Sequence, residues 1–427
     1  MVEIRPFRAI RYTAKAGDLK QLITQPYDKI TPDTQKKYLE RSPYNYCRLI
    51  LPVEEDRYAS ARSSLDRFLT EKAFEKDGAP AIYVYFQDFE LSGKKYHRKG
   101  FICALRLQPY EDKSVLPHEK THKGPKIDRL NMSRATLKDL EPGFVLYPDQ
   151  KHEVASVLDQ ASKGRPLADL VDEDNVQNRL WKLEDPAMIK RMQAALAPEQ
   201  VVIADGHHRY ETAITFRDEL LAAHPGAPAD EAFNFRMTYM VDVDDPGLVV
   251  LPGHRLLLKQ ALTDKHVAEL RKYFDISEMG KEAAPAFLEK NRDRICFAAY
   301  LGKGRCLGLA LKNIDAVAPF FKPEYSPEYR RLDVVVLRDV VFEGIMKAGE
   351  LKIDEDIGYS RWVPDALEKV DTGKAQVAFL LNATRPAQVL SVAQNGERMP
   401  EKSTDFYPKM MSGLTMMDVT PGERLTK

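Results

Sequence analysis

The chain has 427 residues, of which 44% are hydrophobic and 30% charged, so it can bury the cores of roughly two or three domains. Its 64 basic and 64 acidic residues cancel to a net charge of zero, which argues against a nucleic-acid-binding protein with the usual basic excess. The 4 cysteines form no Cys-x-x-Cys pair, which favours a reducing cytoplasm over a disulfide framework or a zinc ribbon. No apolar run suits a signal peptide or the about 20 residues that span a bilayer. We expect a cytoplasmic protein without membrane or nucleic-acid partners, and the sequence leaves its oligomeric state open.

In chain order, the first half predicts strands and helices in alternation. The charge-rich stretch 150–200 predicts mostly helix, whereas short apolar or alternating runs predict strands at 80–89, 100–107, 201–204 and 235–243. A strong chain breaker, Asp244-Asp245-Pro246-Gly247, follows the last strand and predicts a domain boundary.

The second half predicts helices around 261–274 and 333–348, strands around 295–301 and 376–382, and a loop-like tail from 397. Mixed helices and strands indicate an α/β or α+β protein. We place one domain at 1–245 and a second α/β domain at 246–427.

The stretch Asp205-Gly206-His207-His208-Arg209 lies where the strand at 201–204 gives way to a predicted helix. Unpaired N–H groups and the dipole at a helix start attract anions, and Gly206 allows close approach to the backbone. Arg209 adds a planar cation suited to phosphate or carboxylate. The structural alternative is a turn whose histidines only cap the helix. Adjacent histidines make a poor chelate, so phosphate ranks above zinc.

Residues 116–129 form a second polar segment, with histidines, acids and cations around two prolines. Such a segment can hold a general base, Glu119 or His118, beside cationic ligands for phosphate. On composition alone, a solvated charged loop is the favoured interpretation.

Residues 399–409 form a third polar segment, which contains Lys402-Ser403-Thr404. These three residues resemble the end of a phosphate-binding loop, but the glycines of a Walker A motif are missing. The segment can donate to an anion, and a proline-flanked surface loop is the structural alternative.

Four motifs follow one another along the chain: Pro26-Tyr27-Asp28, the segment from Pro117 to Arg129, the segment from Ala204 to Glu211, and the segment from Met399 to Lys409. In this order they are similar to the motifs of the prokaryotic family catalogued as domain of unknown function 1015, and the similarity extends over nearly the whole chain. Two of them, Pro117-His118-Glu119 and Asp205 to Arg209, also resemble the free-serine kinases of the ParB/sulfiredoxin-like superfamily. That resemblance implies a ParB/sulfiredoxin-like nucleotide-binding core in the N-terminal half.

The kinase resemblance also implies a role for each motif residue. Glu119 would be the general base in a catalytic motif with His118, and Asp205 would hold Mg²⁺ or position the hydroxyl. The phosphates of ATP or ADP would be gripped by Gly206, His207, His208 and Arg209. Candidates to hold the substrate carboxylate or the phosphates are Lys120, Lys123, Lys126, Arg129, Lys402, Ser403 and Thr404. The implied activity is phosphoryl transfer to the hydroxyl of free L-serine or a similar hydroxy acid.

Two other functions stay open at this stage. One is a ParB-like switch that binds or hydrolyses a nucleotide without a small-molecule acceptor. The other is a metal-dependent hydrolase that uses His118, His122, His207 and His208, which stoichiometric zinc or manganese in the purified protein would favour.

Overall fold

A computed structural model of the chain describes residues 1–119, 123–349 and 351–425, and of residues 123–125 it describes the backbone only. These residues form two compact units. The first comprises residues 1–117, 123–249 and 408–425, and the second comprises residues 118–119 and 250–407. The sequence predicts two continuous domains, 1–245 and 246–427. In the structure, residues 118–119 belong to the second unit and residues 408–425 to the first.

The first unit is built on a mixed sheet with nine strands among the described residues. The order across the sheet is Val115–Leu116, Val201–Asp205, Gly143–Tyr147, Phe235–Asp242, Lys94–Arg106, Ile82–Leu91, Gln177–Leu183 and Ala168–Val171, with Ile4–Arg5 also paired to Lys94–Arg106. Two smaller antiparallel pairs are Ile10–Tyr12 with Phe74–Lys76 and Lys138–Asp139 with Met417–Asp418.

Helices accompany this sheet in chain order. The α-helices are Leu19–Leu22, Pro32–Arg41, Cys47–Ile50, Arg57–Thr70, Lys123–Thr136, Glu153–Ala161, Pro186–Leu196 and His207–Ala223. Short 3-10 helices are Ala14–Ala16, Tyr27–Lys29, Tyr110–Asp112 and Ala232–Asn234. Apolar side chains of the strands, such as Val145, Ile203 and Met240, share a buried core with Val157 and Met192 from the helices.

The strands predicted at 80–89 and 100–107 are confirmed, and in the structure they form a hairpin. Strands Ile82–Leu91 and Lys94–Arg106 pair antiparallel around Ser92 and Gly93. Both of these residues have positive φ, 52° and 76°, as expected for a type I′ turn whose twist matches that of the flanking strands.

The mostly helical prediction for 150–200 is wrong in its middle part. Helices occupy Glu153–Ala161 and Pro186–Leu196, but Ala168–Val171 and Gln177–Leu183 are strands. Ala168–Val171 is the strand at one edge of the sheet, and Gln177–Leu183 is next to it. Along Ala168–Val171, half-buried and exposed side chains alternate. Charged residues therefore fit there, and the charge content that suggested a helix does not exclude a strand.

The second unit contains a six-stranded sheet, again counted over the described residues. Its strand order is Phe274–Gly280, Arg305–Leu311, Cys296–Tyr300, Val377–Leu381, His254–Leu257 and Ile357–Ser360. Further short strands are Val249–Leu251 and Asp405–Tyr407. The helices are Asp264–Leu270, Lys281–Ala283, Ala284–Lys290, Asp315–Phe320, Pro327–Arg330, Asp333–Val336, Leu337–Ile345, Val363–Asp371 and Pro386–Gln394, of which Leu337–Ile345 is a π-helix.

These elements make the chain a mixed α/β protein, and the strands predicted near 295–301 and 376–382 are confirmed. Over residues 1–119, 123–349 and 351–425, no helix is long and apolar enough to cross a membrane.

Candidate functional site

The strand Val201–Asp205 ends directly at the start of a 17-residue helix, His207–Ala223, as the sequence predicted. Gly206 joins the two with φ +90°, a left-handed conformation that glycine adopts without steric cost. The first N–H groups of the helix have no partners within the helix, and its dipole makes this end positive. Residues Asp205 to Arg209 thus form a turn suited to an anion, which we call the cradle.

Arg209 is folded back over the start of its own helix. A Cβ atom on Gly206 would lie 3.0 Å from the Nε atom of Arg209, so the guanidinium needs a glycine at this position. Arg209 Nη1 donates a hydrogen bond to the carbonyl oxygen of Pro142 at 2.9 Å. Only 11% of the Arg209 side chain is exposed. The cation is therefore held at the cradle before any ligand arrives.

Asp205 lies between two cations. Its Oδ2 atom is 2.9 Å from Lys409 Nζ, and its Oδ1 atom is 3.8 Å from Arg209 Nη2. Burial acts to raise the pKa of Asp205, but the positive charges of Lys409 and Arg209 outweigh it and hold that pKa well below its usual range. The carboxylate is firmly ionised and organises the cations around the cradle.

A buried carboxylate of the first unit, Glu141, acts by its negative charge on Arg209 of the cradle. Its Oε1 atom accepts hydrogen bonds from the backbone N–H of Tyr27 at 3.1 Å and from the Ser412 hydroxyl at 2.8 Å. Burial acts to lower the pKa of Arg209, but the negative charges of Glu141, Asp205 and Asp28 outweigh it and raise that pKa. The motif at residues 26–28 thus acts electrostatically on Arg209.

Two predicted phosphate ligands are engaged by carboxylates of the first unit. Lys126 forms an ion pair with Glu211. Arg129 is buried, and its Nε atom donates to Asp128 at 2.8 Å, while its Nη1 atom donates to the carbonyl oxygen of Ile50 at 3.0 Å. A role toward a ligand stays a prediction for both. Lys120 and His122 lie outside the described residues, as does the side chain of Lys123.

The second unit brings together two other predicted motifs. Glu119 forms an isolated parallel bridge with Met399, and its Oε1 atom accepts from the backbone N–H of Lys402 at 3.2 Å. His118 is buried, and its Nε2 atom is 2.9 Å from Thr404 Oγ1. We call His118, Glu119 and residues 402–404 the Glu119 cluster. The structure thus joins segments that are 283 residues apart along the chain.

The Glu119 cluster is fixed by further contacts within the second unit. Lys402 has φ +56°, and the Ser403 carbonyl oxygen accepts from Thr384 Oγ1 at 2.9 Å. Arg255 is buried nearby, and its Nη2 atom lies 3.4 Å from the Glu401 carbonyl oxygen. Burial lowers the pKa of Arg255 to about 10, and the negative charge of Glu119 acts in the opposite direction.

Several of these residues have no recognisable signal in the sequence. Glu141 carries no motif signal, because a lone buried glutamate resembles any surface glutamate in a sequence. Arg255 stands two residues after Pro252-Gly253, and a single arginine near a turn does not by itself predict a site. Lys409 belongs to a motif, but its partner Asp205 is 204 residues away, which no local pattern reveals.

The described residues contain no group of three or more His, Cys, Asp or Glu side chains placed to hold a metal ion. Asp205 alone is a carboxylate of the cradle, and Mg²⁺ often uses only one or two protein carboxylates together with phosphate oxygens. The donor set therefore fits a magnesium ion that arrives with a nucleotide better than a site made of protein ligands alone.

The fold and the cradle carry the motifs of one family. A family model described as a protein of unknown function, DUF1015, matches residues 4–335. The chain belongs to the DUF1015 family, and the family membership that its ordered motifs predicted is confirmed. No curated protein matches the chain.

Some solved structures are distantly similar. A mutant free serine kinase in complex with ADP shares 15% identity at a TM-score of 0.35, over 75% of this chain and 91% of that one. The free serine kinase in complex with AMP shares 15% at a TM-score of 0.34, over 75% and 91%. A conserved hypothetical protein from Pyrococcus furiosus shares 15% at 0.33, over 75% and 94%.

Proposed function

We propose that this protein is a small-molecule kinase that transfers a phosphoryl group from ATP or ADP to the hydroxyl of free L-serine or a similar hydroxy acid. The observation that carries the proposal is the cradle, where Arg209 and Lys409 flank the positive start of a long helix. Phosphoryl transfer needs mainly positioning and neutralisation of charge, and this arrangement supplies both.

The cradle is proposed to bind the nucleotide phosphates. The backbone N–H groups of Gly206, His207 and His208 lie at or next to the helix start and suit phosphate oxygens. Arg209 adds two parallel N–H donors, for which a phosphate is a good acceptor. Its hydrogen bond to Pro142 and the charge of Glu141 hold it in place, so little order has to be gained on binding.

Mg²⁺ is proposed to bind with the nucleotide, and Asp205 is its candidate protein ligand. A bound Mg²⁺ ion would neutralise phosphate charge during transfer. Lys409 holds one carboxylate oxygen of Asp205 at 2.9 Å. Lys409 is therefore also proposed as a phosphate contact, since its ammonium group lies at the same edge of the cradle.

Glu119 is proposed as the general base, which takes the proton of the acceptor hydroxyl. A carboxylate fixed by a backbone N–H, here that of Lys402, is suited to accept a proton in a defined direction. His118 is proposed to support the motif, and Thr404 holds the ring of His118. The side chains of Lys402 and Ser403 are proposed contacts of the acceptor carboxylate. A ParB/sulfiredoxin-like core in the N-terminal half is also part of this proposal, and the motif resemblance supports it.

The test is a transfer assay on the purified full chain. Protein, Mg²⁺ and either ATP or ADP are incubated with and without free L-serine, and O-phosphoserine is followed by mass spectrometry. Formation of phosphoserine, and its loss in Arg209→Met, would support the proposal. Nucleotide hydrolysis that needs no acceptor would favour the switch, and activity that follows stoichiometric zinc or manganese would favour the hydrolase.

A further inference from the structure

A cavity of about 890 Å³ opens in the second unit, far larger than a water molecule and within the size range of metabolite sites. We propose that it binds a small metabolite that carries both an anionic group, carboxylate or phosphate, and an amino group. This inference does not depend on the proposed kinase activity.

Most charged side chains on the cavity wall already have partners. Arg292 pairs with Glu289 at 3.1 Å, and Arg294 pairs with Asp275 at 2.9 Å. Arg385 lies 3.6 Å from Asp293. Lys312 donates a hydrogen bond to the Arg271 carbonyl oxygen at 2.6 Å, and Glu328 accepts one from the Asn395 side chain at 3.0 Å.

Two charged residues of the wall are exceptions. Within the described part of the chain, the side chains of Arg331 and Asp333 form no hydrogen bond or ion pair, although they are only two residues apart. Arg331 is exposed, and Asp333 is partly buried. A cation and a carboxyl group that lie on one cavity wall without partners match a ligand with one anionic group and one amino group.

The environment of Asp333 supports this match. Burial raises the pKa of Asp333 to about 7, while the positive charge of Arg385 acts in the opposite direction. Keeping such a carboxyl group without a partner costs stability, and a ligand ammonium group would offset that cost.

A helix start on the cavity wall is a second feature that favours the anionic group of the ligand. The first turn of the nine-residue helix Pro386–Gln394 also lines the cavity, and Ala387 and Gln388 belong to that turn. Pro386 at the first helical position has no N–H, and the Gln388 N–H donates to the Arg385 carbonyl oxygen at 2.9 Å, so Ala387 supplies the backbone N–H at this positive end of the helix dipole. Arg331 and this helix start together favour the anionic group, whereas Asp333 favours the amino group.

The test measures binding to the full chain by isothermal titration calorimetry with three fragments. Phosphoethanolamine carries both groups, ethyl phosphate lacks the amino group, and ethanolamine lacks the anion. β-Alanine, which has no hydroxyl group, is added as a carboxylate counterpart and separates a phosphate ligand from a carboxylate one. We expect phosphoethanolamine or β-alanine to bind about tenfold more tightly than either single-group fragment.

Two conservative variants locate the binding. Arg331→Met is expected to weaken binding of the anionic fragments about tenfold, and Asp333→Asn is expected to abolish the advantage that the amino group gives. Arg165→Met, which changes an exposed arginine of the first unit outside the cradle, is the control and should leave this binding unchanged. The proposal is overturned if no fragment binds at about 10 mM. It is equally overturned if binding persists in both cavity variants, or if only the cradle variant Arg209→Met removes it.

Discussion

Lys409 Nζ lies 2.9 Å from Asp205 Oδ2, and this contact joins the last motif of the chain to the cradle. It exists because residues 408–425 fold into the first unit after the chain has completed the second. The backbone before Lys409 is fixed as well, since the buried guanidinium of Arg98 donates to the Pro408 carbonyl oxygen at 2.7 Å. The ammonium group of Lys409 is thus held beside the cradle by fixed contacts of its own chain segment and is not a mobile surface charge.

Lys409→Met should weaken nucleotide binding. The substitution keeps the apolar stem but removes the cation, so the pKa of Asp205 should rise toward its ordinary value and the phosphates should lose a positive neighbour. We expect the Kd for ADP to increase about tenfold, or about 1.4 kcal/mol, as measured by calorimetry. Lys409→Arg should retain most of the affinity. An unchanged Kd in Lys409→Met would show that this cation does not meet the nucleotide.

Gly206→Ala, compared with a control glycine, should distinguish the effect of backbone strain on stability from the effect of a displaced Arg209 on nucleotide binding. Alanine at φ +90° costs about 1–2 kcal/mol of folding free energy, and its Cβ would press on the Arg209 guanidinium. The control is Gly226→Ala, because Gly226 has φ +83° but no atom within 4 Å of an added Cβ. Urea unfolding should show similar destabilisation in both variants, whereas only Gly206→Ala should lose nucleotide binding. Equal binding in the two would contradict the assigned role of Arg209.

His254 should make stability fall in mild acid. Its Nδ1 atom accepts from the backbone N–H of Leu381 at 3.2 Å, and burial lowers the pKa of His254 to about 4. Between pH 6.5 and 4 the unfolded chain therefore binds a proton that the folded chain does not, so stability is lost as the pH falls. The loss can reach roughly 3 kcal/mol.

The measurement for His254 compares urea unfolding of the wild type and His254→Asn from pH 7 to pH 4.5. Asparagine keeps an acceptor for Leu381 but does not titrate in this range. The variant should therefore lose less stability than the wild type over the same interval. Parallel pH dependences would show that His254 is not the group responsible.

The cysteines should be unreactive in the folded protein. All four are buried, and burial raises the pKa of Cys47 and Cys296 to about 12 and that of Cys306 to about 11. The thiol reagent DTNB at pH 8 should label the native chain slowly and all four thiols after denaturation. Rapid labelling of the native chain would mean that at least one thiol is accessible.

Local patterns predicted the elements on which the cradle rests. The apolar run 201–204 followed by Asp205-Gly206 predicted both the strand and the helix start. Both signals are local, because the buried strand residues and the turn residues are neighbours in the sequence. The strands in 150–200 were missed because charged residues stand among their apolar ones: Asp169 is exposed, and Arg179 and Lys182 are half-buried, so neither strand is a plain apolar run. The return of residues 408–425 to the first unit, and with it the Lys409–Asp205 contact, depends on tertiary packing that no window of sequence contains.

Glu119→Gln is the decisive test of Glu119 as the general base of phosphoryl transfer. Glutamine keeps the size of the side chain and an oxygen for the Lys402 N–H, but it cannot take a proton. Phosphoserine formation and ADP affinity are measured on the same preparation, with the exposed Glu324→Gln as the matched control. We expect loss of turnover in Glu119→Gln with nucleotide binding largely intact, and full activity in the control. Retained turnover in Glu119→Gln would contradict this role of Glu119.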